Sequence, residues 1–305
     1  MPEIARPLNH LNDALMKFIF ASEERKHMTL GLINAVFAGQ GTKPLADFMF
    51  IDRELDPEHY LEKESQLDVL GRCQDGTTVN VEVQVSRILE MPERSLFYWA
   101  RLYRLNRGQE YASLRRTVCI NILDFRLFNA ASTPDFHNCF GLLNRRYPGH
   151  CLSGNLEIHF LELPVWEKQR RAAADFTMLD NWLAYLSPES TPQLLQEVAM
   201  QAPIIQEALA AEREFLADPD LVTAYDLAEK ARMDRNGRER YLQYVREQSF
   251  QQGIEEGIEQ GIEQGIEKKS LAVAARMLSE NMPLELISKI TDLPVASIEA
   301  LRKGN

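Results

Sequence analysis

The sequence predicts an α/β fold that is followed by an all-helical C-terminal region. Three observations lead to this prediction. Two β-strand-like segments flank Asp75-Gly76, and in the second one valines alternate with polar residues, which is typical of a β-hairpin. The segment Thr117–Leu123 is almost continuously apolar, as in a central strand of a sheet. Apolar residues recur at helical spacing around these strands, and from Lys168 onward only helical patterns follow.

The remaining elements follow from apolar spacing and from turn residues. Apolar residues from Leu11 onward predict a helix over residues 10–38, and a strand is expected from Asp47 to Leu55. Pro92 suits the first turn of a helix, which we expect to run to about Asn106. Further strands are expected at residues 117–123, 136–144 and 156–163, and further helices at 180–186, 192–217, 219–233 and 272–280.

The hairpin determines which side chains face each other. A three-residue loop at residues 74–76, with Gly76 left-handed, would place Asp68 opposite Glu82. Side chains alternate along strands, so one face would carry these polar residues and the other face the valines. Two opposed carboxylates repel unless a cation binds both, and Mg²⁺ favours such oxygen ligands. The alternative is the solvated face of a half-buried sheet. The shared polar face would comprise Glu64, Gln66, Asp68, Asn80, Glu82 and Gln84.

These residues also carry a resemblance. An Asp on one strand and Glu-x-Lys on the next, after an N-terminal helix, resembles the PD-(D/E)XK nuclease core, with Gln84 in place of Lys. The stretch Asp13–Phe20 resembles the D-x-x-F-K-x-x-F opening of the Rpn family of recombination-promoting nucleases, although Leu15-Met16 stands where an aromatic often precedes the Lys. Leu67–Val69 and Val81–Gln84 resemble its L-D-V and V-E-x-Q signatures. The resemblance covers roughly residues 10 to 165, and the C-terminal tail is also similar.

The resemblance implies a fold, an activity and a site. It implies a mixed central sheet flanked by helices, and a metal-dependent DNA endonuclease that promotes recombination. The cofactor would be Mg²⁺ or another divalent cation. Asp68 and Glu82 would bind it with the backbone carbonyl of Val83, and Glu64 could serve a second ion. Gln84 would orient the attacking water by hydrogen bonding, because it cannot carry the positive charge of Lys.

The charge distribution is compatible with DNA as the partner. The net charge is −11, which is unusual for a DNA-binding protein. However, residues 87–116 contain seven arginines against three glutamates, a local charge of +4, and local fields decide where phosphates bind. We expect four basic side chains to hold backbone phosphates, which are contacts that position DNA without reading bases. They are Lys17, Arg94, Arg101 and Arg104.

The tail contains four successive Gly-Ile-Glu-x units from Gly253 to Lys268. Each glycine costs a helix about 1 kcal/mol relative to alanine. Two interpretations stay open: a helix whose glycines admit a second copy of the chain in a homo-oligomer such as a dimer, or a flexible acidic linker. Residues 283–301 predict a helix-turn-helix, which could bind DNA or mediate assembly. The predicted domains are 1–167 (nuclease core), 168–248 (helical), 249–270 (repeat) and 271–305 (small helical tail).

Composition excludes several protein classes. Four cysteines without close pairing favour free thiols over disulfides or a zinc site. We find neither a membrane-length apolar run nor a signal peptide, so the expected location is cytoplasmic with no membrane partner. Two rivals to an enzyme remain: a catalytically degenerate nuclease fold that binds DNA or regulates, and an assembly protein whose tail is the working part.

Overall fold

The computed structural model describes residues 8–39, 44–51, 67–88, 90–105, 108–170, 173 and 175–303. The chain forms two compact units, which divide between Met233 and Asp234. Glu64, Gln66 and the predicted strand residues beyond Ile51 lie outside the described residues. The expected domain boundaries at residues 167, 248 and 270 stay predictions.

The first unit is built on a six-stranded mixed sheet, as the sequence predicts. The strand order is β1-β2-β3-β4-β6-β5. The pairs β3–β4 and β4–β6 are parallel, and the other pairs are antiparallel. The strands are β1 Phe48–Phe50, β2 Leu67–Cys73, β3 Thr78–Gln84, β4 Thr117–Leu123, β5 His137–Leu143 and β6 Cys151–Glu162. Within the described residues, β1 and β6 therefore begin and end differently from the predicted strands.

The β2–β3 hairpin has the predicted loop and register. Gly76 adopts φ +87°, and its backbone N–H donates to the Cys73 carbonyl at 2.9 Å. Closing the loop, the Cys73 N–H donates to the Thr77 carbonyl at 2.8 Å. The register pairs Asp68 with Glu82, which confirms this part of the prediction.

The helices are in part shorter than predicted. They are α1 Asp13–Phe20, α2 Lys26–Ala38, α3 Met91–Leu102, α4 Leu163–Arg170, α5 Met178–Leu186, α6 Pro192–Gln201, α7 Pro203–Ala217, α8 Pro219–Ser279, α9 Leu284–Thr291 and α10 Val295–Lys303. The single helix over 10–38 is wrong, because Ala21 and Ser22 leave helical conformation. The single helix over 192–217 breaks at Ala202, which is extended because it precedes Pro203.

Each face of the sheet packs against different helices. Val79, Val81 and Val83 of β3 point into the main core, where α1, α2 and α5–α7 cover the sheet. On the opposite face, Cys119 and Phe160 join a smaller cluster with Met91 of α3. Asp180 of α5 anchors the helical layer, because it accepts hydrogen bonds from side chains of α4 and of its own N-cap. The donors are Trp166, Arg170 and Thr177.

The second unit contains the C-terminal part of α8 followed by α9 and α10. The Gly-Ile-Glu-x repeat lies within α8, so it is helical rather than a flexible linker. Its four isoleucines are 41–62% exposed, and a Cβ built on any of its glycines meets no atom within 4 Å. The predicted helix over 272–280 is the end of α8, and Ala274, Ile287 and Ile298 form a small core. Among the described residues, no helix has both the length and the apolarity needed to cross a membrane.

Candidate active site

The candidate site centres on Glu82 in the middle of β3. This strand lies between β2 and β4, and all seven of its residues are buried. Glu82 itself is only 1% exposed. Its ladder partners are Asp68 on the antiparallel side and Asn121 on the parallel side. The sheet therefore fixes the backbone position of Glu82 from both sides.

Helix α3 provides an arginine that forms an ion pair with the Glu82 carboxylate. The Arg94 Nη2 lies 2.9 Å from the Glu82 Oε1, and the two side chains are 17% and 1% exposed. The Arg94 guanidinium also lies 5.3 Å from the centre of the Tyr98 ring. Arg94, which the sequence suggested as a phosphate contact, is thus an ion-pair partner of Glu82.

Gln84 lies two residues beyond Glu82 on the same face of β3. It is 3% exposed, and its Nε2 donates to the Ser86 carbonyl at 3.1 Å. Its Oε1 is buried and has no hydrogen-bond partner among the described residues. A buried amide oxygen without a donor is costly, so this atom is suited to accept a hydrogen bond from a water molecule.

Sequence reasoning missed a polar pair beside Glu82. Asn121 of β4 is buried, donates from Nδ2 to the His159 carbonyl at 3.0 Å and lies 3.0 Å from the Ser95 Oγ of α3. The sequence signal that could have identified Asn121 is an amide side chain within the mostly apolar segment that forms β4. Burial, followed by the charge of Glu82, raises the pKa of the neighbouring Cys119 thiol, so this cysteine stays protonated.

A cavity of about 400 Å³ adjoins the end of β3 where Gln84 lies. Its lining includes Val85, Asp124, Glu229 and Arg232. The Asp124 N–H donates to the Gln84 carbonyl at 3.0 Å, which ties the two strand ends together. Burial, followed by the charge of Glu167, raises the pKa of Asp124 to about 6. This cavity was not predicted from the sequence.

The other predicted DNA contacts lie on α1, on α3 and just beyond the end of α3. Lys17 of α1 is exposed and pairs with Asp13 at 2.8 Å, and α1 packs on the opposite face of the sheet. Arg101 lies 5.5 Å from the centre of the Phe97 ring. Because α3 ends at Leu102 rather than near Asn106, Arg104 lies beyond the helix. It lines a pocket of about 210 Å³ together with Arg72 and Arg115.

Comparison with known proteins identifies a family for this chain. The family described as PD-(D/E)XK nuclease family transposase matches residues 10–241, which include the whole sheet and the candidate site. No curated protein and no solved structure matches the chain.

Proposed function

The chain belongs to the PD-(D/E)XK nuclease family transposases, and from this premise we propose that it is a metal-dependent DNA endonuclease that hydrolyses phosphodiester bonds and promotes recombination. One observation carries the proposal. A fully buried glutamate stands at the centre of the sheet with an aspartate as its ladder partner and a glutamine two residues further along. A merely solvated polar face would not bury Glu82 and Gln84 to 1% and 3% exposure.

The residue types assigned to this site suit a divalent cation. Asp68, Glu82 and the Val83 carbonyl would supply oxygen ligands, which Mg²⁺ prefers, and Glu64 would join them for a second ion. The unpartnered Oε1 of Gln84 supports this assignment, because it offers an acceptor for a metal-bound water. When bound, the cation would lower the pKa of that water and offset charge on the phosphate.

Each protein side chain then has a separate task. Gln84 would accept a hydrogen bond from the attacking water and thereby fix its direction. Arg94 would hold the Glu82 carboxylate in place and offset its charge before the cation and DNA arrive. Neither residue needs to change its protonation state in this scheme.

The decisive experiment is plasmid cleavage with and without Mg²⁺. Asp68→Ala should abolish cleavage and leave the folded state intact, as judged by circular dichroism. Glu93→Ala is the matched control, because Glu93 is an exposed carboxylate next to Arg94. Full activity of Asp68→Ala would refute the assignment.

The basic residues would bind backbone phosphates. Arg104, Arg72 and Arg115 line one pocket, which supports a phosphate path near the hairpin loop. Neutralising Arg101 and Arg104 together should weaken binding to all DNA sequences alike and lower the slope of log K against log salt by about 1 per lost contact. The same measurement on Lys17→Ala tests the predicted contact on the other face. An unchanged slope places the DNA path elsewhere.

A non-catalytic DNA-binding module is the second candidate, and the ion pair favours it. A site that no longer binds metal needs another cation to compensate the buried charge of Glu82, and Arg94 supplies that cation. Calorimetric titration with Mg²⁺ separates the two candidates. Binding that is lost in Asp68→Ala supports the enzyme, whereas no binding to the full chain supports the module.

We also propose that α8 joins two copies of the chain. Four exposed isoleucines recur along the repeat, and the space above each glycine is open. Close approach of a second helix would bury these isoleucines and offset the low helix propensity of glycine. Light scattering on the full chain and on a chain ending at Gln248 tests this. Equal oligomeric states would refute it.

A further inference from the structure

A second cluster of chemically reactive side chains lies on the sheet face opposite Glu82. Cys139 of β5 is the ladder partner of His159 of β6, and Glu157 is two residues from His159 on the same face. Their ligand atoms all lie within 4.8 Å of one another. Phe37 of α2 borders the cluster, with its ring centre 5.9 Å from that of His159. This cluster shares no residue with the proposed cleavage site.

From this geometry we propose that Cys139, Glu157 and His159 bind one Zn²⁺ ion. A tetrahedral zinc ion separates a thiolate sulfur from an imidazole nitrogen by about 3.6 Å, and an imidazole nitrogen from a carboxylate oxygen by about 3.4 Å. The Cys139 Sγ lies 3.8 Å from the His159 Nε2, and the Glu157 Oε2 lies 3.4 Å from the same nitrogen. Both distances are close to those expected between two ligand atoms of one zinc ion.

The surrounding residues orient two of the three ligands. The His137 Nε2 lies 3.0 Å from the His159 Nδ1. If the Nδ1 carries the proton and donates it to His137, the Nε2 lone pair is free for the metal, as in other metal-binding histidines. Arg116 donates to both oxygens of Glu157, at 3.0 and 2.6 Å, and so holds that carboxylate ionised and in place.

The choice of zinc follows from the ligand types. A thiolate, an imidazole and a carboxylate suit a borderline transition metal, whereas Mg²⁺ prefers oxygen ligands alone. Three protein ligands leave the fourth position to water. The ligands come from two strands, one of which, β5, lies at the end of the sheet order. The ion would therefore fasten β5 to β6.

The test uses Co²⁺ as a spectroscopic probe in place of Zn²⁺. The full chain should bind one equivalent with a thiolate-to-cobalt charge-transfer band, and Zn²⁺ should abolish that band. Cobalt bound at Asp68 and Glu82 gives no such band, because that site has no sulfur. The readout thus separates this proposal from the proposed nuclease site.

Two serine variants form a matched pair. Cys139→Ser should lose the band and weaken Zn²⁺ binding by more than the roughly 10- to 100-fold that an outer-shell partner contributes. Cys151→Ser should keep both, because Cys151 is also an exposed free thiol but lies outside the cluster. Both positions are exposed, so both variants should fold. A band that persists in Cys139→Ser, or no thiolate band in the full chain, overturns the proposal.

Discussion

Replacing Arg94 by Met should destabilise the first unit strongly, because it removes the cation that compensates a buried carboxylate. Arg94 Nη2 and Glu82 Oε1 are 2.9 Å apart, and Glu82 is 1% exposed. Two unit charges about 4 Å apart attract by about 4 kcal/mol at an effective dielectric constant of 20. Removing one partner of a buried pair costs about 3–5 kcal/mol, since the other charge stays desolvated.

Because Arg94 is 17% exposed, we expect the lower end of that range, about 3 kcal/mol. Over a unit of this size, such a loss corresponds to a fall in Tm of roughly 6–12 °C. Urea unfolding measures the change in unfolding free energy. Arg101→Met is the control on the same helix. It removes a contact with the exposed Phe97 ring, so its effect should be about 0.5–1 kcal/mol.

A double-mutant cycle tests the reasoning itself. Combining Arg94→Met with Glu82→Leu removes both charges, so the double variant should recover at least about 2 kcal/mol relative to the sum of the single effects. Mg²⁺ should restore Arg94→Met in part, by about 2.7 kcal/mol at 100 times its dissociation constant. Additive single effects, with a coupling below about 0.5 kcal/mol, would show that the ion pair does not matter.

Three further predictions concern other positions. Gln84→Ala should slow plasmid cleavage about 100-fold, because the attacking water is no longer held in position. Gln84→Lys should keep most of the activity. Cleavage by Gln84→Ala at the wild-type rate would contradict the proposed role of Gln84. Gly71→Ala should cost about 1–3 kcal/mol in urea unfolding, because the new Cβ meets the buried Phe48 ring, whereas Gly154→Ala, with open space, should cost nothing. Burial raises the pKa of Asp180, but hydrogen bonds from neighbouring arginine, threonine and tryptophan side chains outweigh it and hold the pKa below its usual range. Its stabilising contribution should therefore be present above the ordinary aspartate pKa and be lost as the pH falls through the lowered value, and Asp180→Asn should flatten this acid limb of the stability curve.

The sequence predicted local features well where a single physical rule dominates. Asp75-Gly76 needs a left-handed glycine, and that requirement fixed the loop and the Asp68–Glu82 register. Alternation of valines then separated the core face from the polar face. The helix break before Pro203 was missed, although a residue before proline avoids helical conformation.

The missed features of the candidate site depend on contacts between distant segments. The ion pair between Arg94 and Glu82 could not be predicted, because helical spacing does not reveal which strand residue faces Arg94. The cysteines lack the spacing of a zinc motif, so free thiols were the better inference from sequence alone. Only the β5–β6 register brings Cys139 beside His159. Asn121 likewise acquires meaning from its neighbours across the sheet.

Adding or removing whole four-residue repeats in α8 would change the position and rotation of α9 and α10 in stepwise fashion. A helix takes 3.6 residues per turn and rises 1.5 Å per residue, so each unit adds about 6 Å and turns the chain by about 40° beyond a full turn. Deleting or duplicating one unit would keep the helix continuous and leave the small core around Ile287 untouched. It would, however, rotate α9 and α10 about the helix axis relative to residues 234–252. The number of repeat units thus determines the rotation of α9 and α10 about the α8 axis. About nine added units would bring them back to the same side of the helix.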